Sequence, residues 1–157
     1  VDFKNTIIIM TSNIGSRHLQ EGVKGDLIPD AVHESVLAEL RQVFRPEFLN
    51  RIDDTVLFKP LTRDEIGSIT RLLIGDLNRR IEEKRVAVQP TEAAYDWLAE
   101  EGYDPVYGAR PLRRFIQRQV ETRLAKAMIS GEVEEGTDVR LDYVDGEVRL
   151  APAETGT

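Results

Sequence analysis

Residues 102–114 read GYDPVYGARPLRR, and they join two segments whose apolar residues recur at helical spacing. The first segment begins at Thr91, a residue type that caps helices, and Gly102 is expected to end it. The second begins just after Gly108, and its apolar residues share one face: Leu112, Phe115, Ile116, Val120, Leu124, Ala127 and Met128. The stretch therefore predicts a turn between two helices.

Further elements surround these two helices. Residues 62–65 (TRDE) form a capping box that predicts a long amphipathic helix reaching Ile81, and residues 86–88 predict a short strand. Two alternating segments flank Asp145-Gly146, a pair that favours a tight hairpin. Helices followed by a small antiparallel sheet indicate an α+β domain, with a frayed tail at residues 152–157.

The N-terminal part has a different pattern. Residues 6–10 (TIIIM) are apolar and mostly β-branched, which predicts a strand buried on both faces of a parallel sheet. No other such run flanks it, so we expect its sheet partners upstream and the chain to begin inside an α/β domain. A helix is expected from Asp30, capped by that side chain, and residues 55–58 (TVLF) predict another strand. Pro60 marks the predicted domain boundary.

Composition narrows the function classes. The chain has 28 acidic and 21 basic residues, a net charge of −7, which argues against general nucleic-acid binding. It has no cysteine, and its histidines, His18 and His33, have no partner at ligand spacing, so no metal site is expected. No apolar run reaches the length of a membrane span, and no secretory leader is visible. We expect a cytoplasmic protein that makes no membrane contact.

Two polar residues of the N-terminal part are candidates for chemistry. Asn13 follows the predicted buried strand, where α/β sheets place ligand-contacting groups, although Ser12-Asn13 also suits a simple turn. Arg51 could stabilise charge on a transferring phosphoryl group as an arginine finger. It also lies among charged neighbours that favour a surface ion-pair network: Arg45, Glu47, Asp53 and Asp54. The residues alone leave both alternatives open.

Arg110 is a more informative candidate for a binding residue than Asn13 or Arg51. It follows Gly108-Ala109 and opens a helix with Pro111 in the first turn. A guanidinium beside free helix amides predicts a small anion site. The other basic residues of this helix are expected to form a solvated face opposite the core: Arg113, Arg114, Arg118, Arg123 and Lys126.

Three segments together resemble the second AAA+ module of the Clp chaperones, in order and in context. Residues 1–13 resemble the strand ending in the sensor-1 asparagine, which corresponds to Asn13. Residues 44–53 (FRPEFLNRID) resemble the segment of the trans-acting arginine finger, which corresponds to Arg51. Residues 102–114 resemble the sensor-2 motif, with Arg110 as its arginine and Gly108 and Ala109 beside the nucleotide.

The resemblance implies that residues 1–60 are the C-terminal part of the AAA+ P-loop large subdomain and residues 61–151 the small lid subdomain. It implies ATP as cofactor, with Mg²⁺ held elsewhere, because the chain has no Walker A loop, acidic Walker B strand end or aromatic pore loop. The fragment alone is therefore expected to be inactive. The implied partners are further copies in a ring, expected to be a hexamer, an unfolded or aggregated protein substrate, and a DnaK-type co-chaperone.

The resemblance leaves the branch of the family to be decided. Members that dock on the Clp peptidase carry an Ile-Gly-Phe or Ile-Gly-Leu loop, whereas residues 14–30 offer only Ile14-Gly15-Ser16, directly after the sensor asparagine. This favours a protein disaggregase over an unfoldase subunit of a Clp protease. A DNA-processing motor would rest on the basic helix from Arg110, and the acidic total opposes it.

Overall fold

The computed structural model describes residues 5–104 and 107–153, and the chain divides into two compact units, Val1–Pro60 and Leu61–Thr157. Helices α1 (Ser16–Gly22), α2 (Asp30–Val43) and α3 (Pro46–Leu49) form the first unit. The second contains helices α4 (Arg63–Ile81), α5 (Glu92–Gly102), α6 (Arg110–Ile116) and α7 (Thr122–Ser130), and strands β1 (Val88–Pro90), β2 (Val139–Val144) and β3 (Glu147–Pro152).

Helix α1 packs closely on α2 through two glycines. Gly15 precedes α1 with φ of 77°, and a Cβ built on it would lie 2.6 Å from Val36 Cγ1. Gly22 ends the helix, where a Cβ would lie 2.4 Å from Val32 Cγ2. Only glycine allows this spacing, and Val36 is buried as a result. Sequence patterning did not predict α1, because its apolar contacts come from the α2 side chains.

The two strands predicted in the first unit are wrong for this structure. Residues 6–10 and 55–58 are not assigned to strands, and Ile7, Ile8 and Ile9 are 83–88% exposed. An apolar β-branched run forms a strand only where a neighbour satisfies its backbone groups, and no described segment of this unit pairs with either run. The cap of α2 also differs, since Pro29 occupies the N-cap and Asp30 is the first helical residue.

Helix α4 begins as its sequence predicts. The Thr62 hydroxyl accepts a hydrogen bond from the backbone N–H of Glu65, and the Glu65 carboxylate accepts one from the N–H of Thr62 at 2.8 Å. The helix buries Ile66, Ile74 and Leu77 against the core of the second unit. This reciprocal capping box satisfies two donors that helix geometry would otherwise leave unpaired.

Removing the Thr62 cap should destabilise the second unit. We expect Thr62→Ala to lower its free energy of unfolding by about 1 kcal/mol, or its melting temperature by roughly 5 °C for a domain of this size. Trp97, the single tryptophan, packs in this unit, so its fluorescence can follow the unfolding transition. Thr62→Ser retains the hydroxyl and should melt near the parent temperature; equal losses for both variants would contradict the capping role.

The sheet of the second unit has the order β1-β2-β3 and is mixed, which corrects the antiparallel sheet expected from the sequence. Strands β2 and β3 form the predicted antiparallel hairpin, with positive φ at Asp145 and Gly146. Strand β1 instead pairs in parallel with β2, Val88 opposite Val139. Helices α5 to α7 separate these two strands along the chain, and a crossover of that length permits parallel pairing.

The edge strand β1 starts at Val88, two residues later than predicted. The side-chain amide of Asn78 on α4 accepts from the Val88 N–H at 2.8 Å and donates to the Val88 carbonyl at 2.9 Å. These two bonds attach the edge of the sheet to α4, and they satisfy backbone groups that a second strand would otherwise pair.

Helices α6 and α7 are joined by a π-helical segment, Gln117–Glu121, so helical backbone runs from Arg110 to Ser130. Every predicted core position of this run is buried or partly buried: Leu112, Phe115, Ile116, Val120, Leu124, Ala127 and Met128. Trp97 on α5 packs against Phe115 and stacks on Tyr143 of β2 at 5.0 Å. Through these contacts α5 packs against α6 on one side and against β2 on the other.

The predicted tail is ordered at its first residues. Pro152 pairs with Val139 at the end of β3, and the N–H of Ala153 donates to the Asp138 carbonyl at 2.7 Å. Residues 154–157 lie outside the described part of the chain.

Candidate functional site

The segment that leads into α6 is held by Asp104. The backbone of Asp104 exchanges two hydrogen bonds with Gly108, of 3.1 and 2.7 Å, and its carboxylate accepts from the N–H of Tyr107 at 2.9 Å. Gly108 has φ of 64°, a left-handed conformation that turns the chain into the helix. Ala109 then occupies the N-cap, and Arg110 is the first helical residue with Pro111 after it, as the sequence predicts.

Helix α6 packs unusually close to α5 at its N-terminal end. A Cβ built on Gly102 would lie 2.4 Å from Leu112 Cδ1 and 3.3 Å from Leu112 Cα. Leu112 is fully buried, two residues after Arg110. Gly102 was predicted only as a helix stop; it also permits the backbone contact that brings the start of α6 against α5.

Arg110 lies in an open groove of about 720 Å³ on the surface of the second unit. The groove is lined by Tyr107, Arg110, Pro111, Arg114, Gln117 and Arg118. Its three arginines are exposed, and none forms an ion pair within the described residues. Three permanently charged guanidiniums without carboxylate partners in the described part of the chain make the groove strongly electropositive. The arrangement can bind a phosphate-bearing ligand.

Arg114 and Arg118 are exposed, as a solvated face would be, and they also line the groove together with Arg110. These residues follow one another at i, i+4 and i+8, a spacing that puts them on one helical face and that could have identified the group from the sequence. The other basic residues differ. Arg113 lines a second groove beside Arg80 and Glu121, and Arg123 donates to the side chain of Gln119 at 3.1 Å.

Asn13 precedes α1 in the first unit. Its carbonyl accepts from the N–H of Ser16 at 3.2 Å, and the Ser12 hydroxyl accepts from the N–H of Ile14 at 3.2 Å. The turn is therefore made by the Asn13 backbone and by Ser12. The exposed Asn13 side-chain amide makes no hydrogen bond to a described residue, so it is available for a ligand.

Arg51 is exposed just after α3. Its N–H donates to the Phe48 carbonyl at 3.0 Å, which continues the turn, and Phe48 packs on Phe44 with ring centroids 5.1 Å apart. The ion-pair network considered from the sequence does not form in the described residues: Arg51 bonds to none of its charged neighbours, Arg45, Glu47, Asp53 and Asp54. The Arg51 guanidinium therefore stabilises no part of the described structure through an ion pair or hydrogen bond.

The described residues contain no cluster of three or more His, Asp or Glu side chains suited to a metal ion. In the same residues, none of the helices is both long enough and apolar enough to cross a membrane.

Comparison with known protein families defines the class of protein to which this chain belongs. Residues 1–55 match an AAA domain of the Cdc48 subfamily, in the unit that contains Asn13 and Arg51. Residues 61–141 match the family described as the C-terminal, D2-small domain of ClpB protein. This second match covers more than half of the chain, so the chain belongs to the ClpB D2-small family. The resemblance to Clp AAA+ chaperones and the expected helical lid with a small sheet are thereby confirmed.

Curated relatives agree with this assignment. The chaperone protein ClpB of Nitratidesulfovibrio vulgaris is 52% identical over 146 residues, which cover 92% of this chain and 17% of that protein. Its namesake in Clostridium perfringens is 49% identical over 94% of this chain and 17% of its own length. That of Aquifex aeolicus is 46% identical over 98% and 16%. The chain thus spans about a sixth of the length of the relatives it matches.

Proposed function

We propose that this chain is the nucleotide-sensing and ring-assembly part of an ATP-dependent protein disaggregase. The observation that carries the proposal is the groove at the start of α6, where Arg110, Arg114 and Arg118 present guanidiniums with no carboxylate partner among the described residues. Its charge and the exposed ring of Tyr107 fit a nucleotide with several phosphates. The names of the relatives, chaperone protein ClpB, support a role in handling other proteins.

In this proposal Arg110 is the sensor-2 arginine and contacts the terminal phosphate of ATP, with Gly108 and Ala109 beside the nucleotide. Bound ATP, with Mg²⁺ held by residues elsewhere in the full-length protein, supplies the phosphoryl group whose transfer to water drives the cycle. A group that contacts ATP but not ADP shifts the position of its domain by the difference between those contacts. Arg110 thereby couples nucleotide state to the lid.

Two residues of the first unit have proposed roles of their own in the nucleotide cycle. Asn13 acts as sensor 1: its side-chain amide, which makes no hydrogen bond within the described part of the chain, can orient a water or a phosphate oxygen without adding charge. Arg51 acts in the site of the neighbouring subunit, for which its guanidinium, exposed and without an ion pair among the described residues, is suited. The full-length protein would then form a ring, expected to be a cytoplasmic hexamer, that threads aggregated protein and cooperates with a DnaK-type chaperone.

The experiment compares ATP and ADP affinities of the full-length protein when its other nucleotide module cannot bind. Arg110→Ala should reduce the preference for ATP over ADP roughly tenfold, since a charge-assisted hydrogen bond contributes about 1.5–3 kcal/mol. Arg123→Ala is the matched control, because Arg123 is exposed on the same helical run and does not line the groove. Equal losses in both variants would show a general basic surface, and an unchanged ratio in Arg110→Ala would refute the sensing role.

A further inference from the structure

The Asp104 side chain makes a contact that neither the composition nor the motif spacing predicted. Its Oδ1 accepts a hydrogen bond from the Tyr107 N–H at 2.9 Å, while its backbone exchanges two bonds with Gly108. Tyr107 and Gly108 are thus held by one residue at the end of α5. The side chain of Asp104 does not line the arginine groove.

This attachment governs where Arg110 lies. The Arg110 N–H is directed at the Tyr107 carbonyl at 3.4 Å, a long bond that adds little restraint of its own. The Arg110 guanidinium makes no ion pair in the described residues, so no side-chain partner holds it either. Its position therefore follows the backbone at Tyr107 and Gly108, and the carboxylate of Asp104 restrains that backbone through its bond to the Tyr107 N–H.

Asp104 also affects the groove through Tyr107, which lines it together with Arg110 and is 63% exposed. One hydrogen bond consequently orders two groove residues. Recognition depends on such preorganisation, because a group that must first be ordered loses part of its binding free energy to that ordering.

We propose that Asp104 is a positioning residue for nucleotide discrimination: it holds Tyr107 and the start of α6 so that Arg110 distinguishes ATP from ADP. This inference rests on the proposed sensing role of Arg110. Asp104 does not line the groove, so in this proposal it acts through Arg110. Its carboxylate acts as a hydrogen-bond acceptor, and its charge is not required for the bond to a backbone N–H.

The test uses the full-length protein with its other nucleotide module unable to bind. Asp104→Ala should lower the ratio of ATP to ADP affinity about three- to tenfold, the factor that one lost hydrogen bond produces. Asp104→Asn should restore most of the ratio, because its amide oxygen accepts from the same N–H. Failure of Asp104→Asn to restore it would show that charge, and not acceptor geometry, is what matters, and would overturn the proposal.

A double variant separates positioning from general stability. If Asp104 acts through Arg110, the variant Asp104→Ala/Arg110→Ala should show the ratio of Arg110→Ala alone. Thr91→Ala, which removes the side-chain cap of α5, is a control for destabilisation elsewhere in the same unit and should leave the ratio unchanged.

The outcomes distinguish the two proposals. No change in Arg110→Ala would refute the sensing function itself. A changed ratio in Arg110→Ala with a parental ratio in Asp104→Ala would refute only the positioning role. Losses in Thr91→Ala equal to those in Asp104→Ala would assign the effect of Asp104 to stability.

Discussion

Arg51→Ala in the full-length protein is expected to lower ATP hydrolysis about a thousandfold while leaving ATP affinity nearly unchanged. An arginine finger stabilises charge that develops as the phosphoryl group moves, so its removal affects the transition state more than the bound ground state. The exposed guanidinium of Arg51, with no ion pair among the described residues, is consistent with a partner outside its own subunit. Steady-state turnover and nucleotide titration measure the two quantities separately.

Arg45→Ala is the matched control for Arg51, since Arg45 is an exposed arginine at the opposite end of the same short helix, α3. It should retain hydrolysis close to the parent rate. Mixing Arg51→Ala subunits with subunits that bind but cannot hydrolyse ATP should restore some activity if the arginine acts in trans. Loss of ATP binding in Arg51→Ala, with no recovery in mixed rings, would make Arg51 a structural residue.

Leu112→Ala should cause a large loss of stability in the second unit, about 3 kcal/mol. Leu112 is fully buried, and its side chain fills the space that Gly102 leaves between α5 and α6. Truncation removes buried apolar surface and leaves a cavity that the close backbone contact between these helices prevents from collapsing. Urea unfolding of the 157-residue chain, followed by Trp97 fluorescence, measures the change.

Leu72→Ala provides the comparison, because Leu72 lies on α4 in the same unit and is 69% exposed. Its loss should stay within about 0.5 kcal/mol. If Leu112→Ala costs no more than Leu72→Ala, the α5–α6 contact is not part of the stabilising core. Leu112→Ala should also disturb nucleotide discrimination in the full-length protein, since Arg110 lies two residues earlier on the same helix.

Local features of the chain were predictable from the sequence. The Thr62 capping box, the Thr91 cap and the Asp145-Gly146 turn depend on residues within a few positions of one another, so their chemistry is visible in the order of residues. The apolar face from Leu112 to Met128 was predictable for the same reason, and the π segment within it left that face buried. Arg110 at the start of α6 followed from local glycine and proline.

Tertiary contacts decided the rest. The parallel pairing of β1 with β2 joins Val88 to Val139, and nothing near either residue in the sequence indicates that partner. Helix α1 packs against α2 because Gly15 and Gly22 leave room for valine side chains of α2. The apolar run at residues 6–10 has a strong strand pattern, yet no described segment pairs with it. Strand pairing and close packing depend on which surfaces meet, whereas caps, turns and amphipathic faces depend only on neighbours along the chain. Arg110 and the spacing of Arg114 and Arg118 after it were therefore identifiable in the sequence, whereas the groove that these arginines line with Tyr107 required the folded chain.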